Sequence, residues 1–176
     1  MDAKTLCLGV LMTGAASGYE IRKMFDEGPF AHFQDVGYGS IYPALAKLLD
    51  EGAVEIVGSS GEGNRERKVY QVTEAGRGAF RETLSKPPAR DKIRSDTAFL
   101  LFFAEFLDPD HLRDVYDDYL NYYRERADVL EGLDAEGISD GRLFVRGLGL
   151  SFYRALADYM TENRDRMLRG SAEAAD

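Results

Sequence analysis

The chain of 176 residues is long enough for one compact domain or two small ones. Its 22 basic and 31 acidic side chains give a formal net charge of -9, which excludes a generally polybasic nucleic-acid tail and disfavours attraction to anionic membranes. The single cysteine excludes an internal disulfide framework, and no apolar run approaches the roughly 18 residues needed to span a bilayer. We therefore expect a soluble cytoplasmic protein with no membrane partner.

The acidity is divided unevenly around residues 85–90, whose paired prolines are typical of a linker. Residues 1–86 hold 10 basic and 12 acidic side chains, a net of -2, whereas residues 87–176 hold 12 and 19, a net of -7. We predict one domain over residues 1–86 and a second, helical domain over residues 93–170. A local basic face remains compatible with the near-neutral first domain.

Three short segments of the first domain have helical apolar spacing. A first helix is predicted over residues 4–13 and is broken by residues 14–18. A second begins at Ser17 as N-cap and ends at Gly28-Pro29. The third begins near Gly37 or Ser40, carries an apolar stripe and ends at Gly52; a proline within it is tolerated only in or near its first turn.

The apolar period then changes from helical to alternating. Residues 54–57 and 68–73 are predicted as two strands, joined by a polar loop too long for a tight hairpin turn. Thr73 is predicted to cap a fourth helix that ends at about Ser85. Three helices, a strand, a polar loop, a strand and a helix are the element order of a winged helix-turn-helix.

The second domain is predicted to be helical throughout. Residues 93–107 are apolar on most sides, so we expect them to be well buried. Asp108-Pro109-Asp110 begins a long amphipathic helix, residues 132–141 interrupt it, and residues 143–167 form another. The fold class is therefore mainly α with a small β-hairpin, combining an N-terminal winged helix-turn-helix with a C-terminal helical dimerisation domain.

The sequence shows no set of residues with the spacing of a catalytic, metal-binding or phosphate-binding site. His32 and His111 lack ligand spacing, and Cys7, flanked by leucines, is typical of a small buried hydrophobe. The glycine-rich residues 58–63 lack the Gly-Lys-Ser/Thr of a phosphate-binding loop. We expect no enzyme activity, no cofactor and no metal.

DNA contact has better candidates on the third helix. With Ile41, Leu45 and Leu48 facing inward, an outward face remains that can offer hydroxyl, apolar and cationic contacts to a major groove. It consists of Ser40, Tyr42, Pro43 and Lys47. The alternative is that Tyr42 packs on the wing and that Lys47 is a solvated charge; both readings stay open for the helix alone.

The polar loop favours DNA binding. It carries Arg65, Arg67 and Lys68 beside Asn64 and a glycine-rich tip, although acidic neighbours partly neutralise the cluster. Such a loop suits a wing that rests on the DNA backbone or in the minor groove.

Five stretches together resemble the PadR family of bacterial transcriptional regulators. They are residues 8–18, Gly18-Tyr19-Glu20-Ile21, Gly39-Ser40-Ile41-Tyr42-Pro43-Ala44-Leu45 with Leu48 and Glu51-Gly52, Arg67-Lys68-Val69-Tyr70, and Thr73-Glu74-Ala75-Gly76-Arg77. The helical second half resembles the dimerisation domain of the virulence-activator-like branch. The resemblance implies a homodimer that binds a near-palindromic double-stranded operator, usually as a repressor. Its third helix would read the major groove, and its wing would contact the backbone or minor groove.

Two features of the second half are compatible with binding of a second protein chain or of a small molecule. Gly147, Gly149 and Ser151 form a small-residue strip for a partner helix, or else an ordinary intrachain contact. The aromatic residues there are either plain core or, as the family resemblance implies, a site for a small aromatic or lipophilic effector. The alternatives to a DNA-binding regulator are a winged-helix protein-interaction module and a small-molecule binding protein without DNA contact.

Overall fold

The computed structural model describes residues 1–34, 36–60, 67–91 and 93–172. The chain divides into two compact units, Met1–Asp91 and Lys92–Asp176. Each unit has an apolar core of its own.

The amino-terminal unit has the winged helix-turn-helix order that the sequence predicts. Its elements are α1 (Ala3–Leu11), β1 (Ala16–Ser17), α2 (Gly18–Asp26), a 3-10 turn (Pro29–His32), α3 (Tyr38–Asp50), β2 (Val54–Ser60), β3 (Arg67–Val72) and α4 (Glu74–Leu84). The predicted helices and strands are all present, with shifted ends, and the fold class is confirmed.

The sheet has three antiparallel strands in the order β1-β3-β2, one more than predicted. Residues 14–18 were expected to break the first helix, with Ser17 as the N-cap of the second; in the structure Ala16 also pairs with Tyr70 and Ser17 with Val69. Strand β2 runs three residues beyond its predicted end, and its register shifts between Ile56 and Gly58, as at a β-bulge.

Apolar side chains from α1, α2, α3 and the sheet form the core of this unit. Ile21, Ile41 and Leu45 are almost completely buried, as their helical spacing predicts. Cys7 lies in the same core, where burial raises the pKa of its thiol to about 12, so the group stays protonated.

A capping box begins α2. The Ser17 hydroxyl accepts a hydrogen bond from the Glu20 backbone N–H at 3.3 Å, while the Ser17 backbone N–H donates to Glu20 Oε2 at 2.7 Å. The Ser17 hydroxyl also donates to Glu20 Oε2 at 2.7 Å. Backbone N–H groups at the helix start are thereby satisfied, which fixes where α2 begins.

The carboxy-terminal unit is helical, as predicted. It contains α5 (Asp96–Phe102), a 3-10 turn (Ala104–Phe106), α6 (Pro109–Gly132) and α7 (Asp140–Ala172). Asp108 caps α6 by accepting from the N–H groups of Asp110 and His111. The hydroxyl of Tyr116 donates to the backbone carbonyl of Met160 at 2.7 Å, and a bidentate Arg164–Asp117 ion pair also joins α6 to α7.

The expected burial of residues 93–107 is wrong for the single chain. The segment is a seven-residue helix followed by a 3-10 turn, and none of the residues in either element is buried. Phe99, Phe102 and Phe106 are between 71% and 78% exposed. The apolar periodicity identified a surface that needs a cover, but the carboxy-terminal unit by itself does not supply it.

The small residues of α7, predicted to face either a partner helix or a helix of the same chain, do not all have the same surroundings. A Cβ on Gly149 would lie 3.2 Å from Leu130 Cδ1, so this glycine serves the packing of α7 against α6. Gly147 has open space around the same position, and Ser151 is exposed.

Among the residues that the structure describes, no helix is both long enough and apolar enough to cross a bilayer.

Gly76→Ala is expected to destabilise the amino-terminal unit by about 1–3 kcal/mol, the usual cost of overpacking. The added Cβ would lie 2.0 Å from the Ala53 carbonyl oxygen, which accepts a hydrogen bond from the Thr73 N–H and so cannot move freely. Urea unfolding measures the change. Gly78→Ala is the matched control on the same helix: its Cβ meets open space, and it should stabilise by about 0.5–1 kcal/mol. Equal effects of the two variants would contradict this packing.

Glu20→Gln is expected to flatten the acid side of the stability profile. Hydrogen bonds from Ser17 are the main cause that lowers the pKa of Glu20, and the charge of Arg67 adds to it. A carboxyl whose folded pKa is depressed stabilises the fold above its unfolded pKa, and this stabilisation is lost as the pH falls through the folded value. Urea unfolding of both proteins between about pH 7 and pH 3 tests this; parallel profiles would show that the capping box does not contribute to acid sensitivity.

Candidate nucleic-acid interface

The outward face of α3 carries the four residues that the sequence singled out. Ile41, Ala44, Leu45 and Leu48 turn into the core. Because a helix advances 100° per residue, the intervening positions face solvent. The exposed set contains Ser40, Tyr42, Pro43 and Lys47.

Helix α3 begins at Tyr38 with Gly37 as N-cap, so its start agrees with the earlier of the two predicted positions. Pro43 is therefore the sixth helical residue and lies in the second turn, just beyond the first turn where proline fits best. Its ring adds an exposed apolar surface beside Tyr42.

The ring of Tyr42 packs on one side and is open on the other. A Cβ on Gly18 would lie only 2.7 Å from Tyr42 Cε1, so the absence of a side chain at Gly18 lets the ring lie against the start of α2. Tyr42 nevertheless stays 49% exposed. Burial, with a smaller contribution from the nearby Tyr42 phenol, raises the pKa of Tyr70 on β3. Tyr42 thus packs against the start of α2, whereas the sequence alternative placed it on the wing, and it also keeps an exposed face.

The wing is described only where its strands begin and end. Lys68 is exposed, whereas Arg67, the first residue of β3, is half-buried. Asn64 and Arg65, the other predicted wing contacts, lie outside the described residues.

Arg67 lies over an aromatic ring of the helix-turn-helix. Its guanidinium carbon is 4.0 Å from the centre of the Tyr19 ring, a cation–π distance. Sequence reasoning used Tyr19 only in the family-like stretch Gly18-Tyr19-Glu20-Ile21 and did not pair it with Arg67. The contact lies beside the pairing of β1 with β3. A strand of two residues leaves no alternating pattern in the sequence, so that pairing could not be predicted.

The carboxy-terminal unit displays a second, apolar surface. Phe99, Phe102, Phe103 and Phe106 contact one another, with ring centres 5.0 to 6.4 Å apart around Phe103. On α7, Phe144, Leu148, Phe152 and Tyr159 are exposed as well. We call Phe99, Phe102, Phe103 and Phe106 the phenylalanine surface; an exposed apolar cluster of this kind is typical of a site that another protein surface covers.

Other predicted aromatic candidates of this unit belong to its core. Tyr123 and Tyr153 are buried with ring centres 6.2 Å apart, and burial raises the pKa of Tyr153 to about 12. For these two residues the core reading of the sequence is the correct one.

Residues 7–82 match the model of the Transcriptional regulator PadR-like family. Over 130 residues the chain is 27% identical to the negative transcriptional regulator PadR of Bacillus subtilis, which covers 73% of this chain and 71% of that protein. It is also similar to the crystal structure of the PadR-like transcriptional regulator BC1756 of Bacillus cereus. That similarity has a TM-score of 0.77 at 26% identity and covers 94% of this chain and 98% of the other.

More distant structures share the fold alone. Bacillus subtilis PadR has been solved in complex with operator DNA (TM-score 0.72, 24% identity, 93% of this chain and 98% of that chain). It has also been solved with p-coumaric acid (TM-score 0.65, 21% identity, 93% and 97%). The virulence activator AphA of Vibrio cholerae has a TM-score of 0.59 at 19% identity over 96% of this chain and 97% of its own.

These similarities agree with one another. The family match covers the winged helix-turn-helix, and the structural matches extend over the long carboxy-terminal helices. The family consists of regulators rather than enzymes, as expected from the scattered histidines and cysteine. Residues 7–82 thus match the PadR-like family of transcriptional regulators, and the chain shares its fold with a solved PadR-like regulator over 94% of its length.

Proposed function

We propose that this regulator is a cytoplasmic homodimer that binds a near-palindromic operator in double-stranded DNA and represses transcription. The observation that carries the proposal is the meeting of two candidate DNA-contacting surfaces at adjacent residues. Gly18 packs under Tyr42 of α3, and its neighbour Tyr19 packs under Arg67 of the wing. A groove-reading helix and a backbone-contacting wing therefore share one support.

The roles follow from the chemistry of each side chain. Ser40 and Tyr42 donate hydrogen bonds to base edges or phosphates, and Tyr42 with Pro43 also contacts thymine methyl groups. Lys47 and Lys68 attract phosphates. Arg67 belongs to the same surface, and Asn64 and Arg65 are assigned to it from the sequence alone.

A second copy of the chain is the partner that best fits the phenylalanine surface. A single winged helix makes few base contacts, so useful affinity requires two copies with recognition helices about 34 Å apart. Contact through the phenylalanine surface would stabilise the dimer, because covering apolar area stabilises by about 25 cal/mol per Å². The exposure of Phe99, Phe102 and Phe106 supports this assignment.

We also propose that a small aromatic or lipophilic effector relieves repression. The support is the complex of Bacillus subtilis PadR with p-coumaric acid, together with the aromatic character of the carboxy-terminal unit. We therefore suggest p-coumaric acid as the first compound to test for release of the protein from operator DNA.

Tyr42→Ala and Lys68→Ala are expected to weaken binding to an operator fragment selected from genomic DNA. Loss of the Tyr42 contacts should cost about 1–3 kcal/mol and relax the sequence preference. Loss of the Lys68 charge should weaken all sequences alike and reduce the slope of log K against log salt concentration by about one. Gel retardation across a salt series measures both effects.

Lys86→Ala is the matched control, because it removes an exposed lysine from the same unit but outside α2, α3 and the sheet. Its affinity and salt slope should match the wild type. Specific binding that survives both Tyr42→Ala and Lys68→Ala unchanged would reject this interface. Failure of the wild type to retain any genomic fragment would favour the protein-interaction module or the small-molecule binding protein instead.

Phe102→Glu is expected to separate the homodimer, because it buries a charge in an interface that must otherwise exclude water. Sedimentation velocity should show a dimer for the wild type and a monomer for the variant at the same concentration. Leu84→Glu, which changes another exposed apolar residue in the amino-terminal unit, is the control and should remain dimeric. A wild-type monomer at concentrations that saturate DNA would contradict the assignment.

A further inference from the structure

Arg67 and Lys68 stand side by side at the start of β3 but have different surroundings. Lys68 is exposed to solvent, whereas Arg67 is half-buried with its guanidinium over the Tyr19 ring. Tyr19 lies in the first turn of α2 and is itself 46% exposed. The two cations are therefore not equivalent wing contacts.

The position of the contact along β3 explains what it can do. On one side, β3 pairs with β2 as far as Arg67 itself, opposite Ser60. On the other side, β1 pairs only with Val69 and Tyr70 and then ends at Ser17. From residue 68 toward the wing, this side of β3 has no strand neighbour among the described residues, and the Tyr19–Arg67 contact lies where β1 stops.

The Arg67 guanidinium has a second neighbour besides the Tyr19 ring. The charge of Arg67 is also close enough to the Glu20 carboxylate to help lower the pKa of that group. Glu20 is itself held by Ser17, and Tyr19 is fixed at the beginning of the capped helix. A planar guanidinium can lie flat on an aromatic ring, and a lysine would reproduce this less well.

We propose that Tyr19 is a positioning residue, which through Arg67 holds the wing end of β3 against the helix-turn-helix. The inference rests on the proposed DNA-binding function. It assigns the direct phosphate contact at this point to Lys68 and gives Arg67 the task of fixing the strand that presents it.

A double-mutant cycle on operator affinity tests the proposal. Tyr19→Leu should weaken binding about two- to fivefold, the effect of one exposed cation–π contact. Tyr19→Phe retains the ring face and should stay within about twofold of the wild type. In an Arg67→Ala background, Tyr19→Leu should have no further effect. The salt slope of the single variant Tyr19→Leu should equal that of the wild type, because this change removes no phosphate contact.

Phe33→Leu is the matched control, since it changes an exposed aromatic residue of the same unit outside this contact. A second readout needs no DNA: nuclear magnetic resonance should show the Arg67 side-chain protons shifted upfield by the Tyr19 ring, and the shift should vanish in Tyr19→Leu. Circular dichroism and urea unfolding establish that each variant is folded.

Three results would overturn the inference while leaving DNA binding intact. They are wild-type affinity of Tyr19→Leu, persistence of its defect in the Arg67→Ala background, and a defect of Tyr19→Phe as large as that of Tyr19→Leu. The second and third would mean that Tyr19 touches DNA itself. If the wild type binds no DNA, the proposed function fails and the inference fails with it, even where the ring shift verifies the contact.

Discussion

Four consecutive residues, 17–20, connect the separate elements of the amino-terminal unit. Ser17 is completely buried, pairs in β1 with β3 and caps α2 with its side chain. Gly18 provides the space into which Tyr42 of α3 packs, and Tyr19 carries the guanidinium of Arg67. A change in the start of α2 would therefore move the sheet, the exposed face of α3 and the base of the wing together. This constraint gives a small unit the fixed geometry that groove recognition requires.

Local charge matters more than total charge for such a surface. At physiological ionic strength, exposed charges separated by more than about 8 Å are largely screened. The net charge of -9, most of it in residues 87–176, is therefore a poor guide to the field near α3 and β3. There the described cations are few, and the charge of one of them, Arg67, helps to lower the pKa of the Glu20 carboxyl. With so few charges, the proposed interface relies largely on hydrogen-bonding and apolar contacts from Tyr42 and its neighbours.

The parts of the structure that depend on neighbouring residues could be predicted from the sequence. Capping at Ser17 and Thr73, the inward stripe of α3 and its exposed face all follow from side-chain chemistry and helical spacing. Strand β1 could not be predicted in this way, because two residues carry no alternating pattern. The Tyr19–Arg67 contact depends on that strand pairing and was missed for the same reason. Distinguishing the exposed Lys68 from the half-buried Arg67, which packs on Tyr19, requires the three-dimensional neighbours.

The phenylalanine surface shows the other limit of periodicity. The pattern of residues 93–107 correctly indicates apolar side chains, yet it does not distinguish cover by the same chain from cover by another. Phe103 lies among its aromatic neighbours and is the best shielded of the four, so part of the cluster is already packed within one chain. A side chain that is already packed loses less conformational entropy on association, which favours a tight contact. If two copies meet there, the second operator half-site is bound at a high effective concentration, and any ligand that alters the contact changes DNA affinity without touching α3.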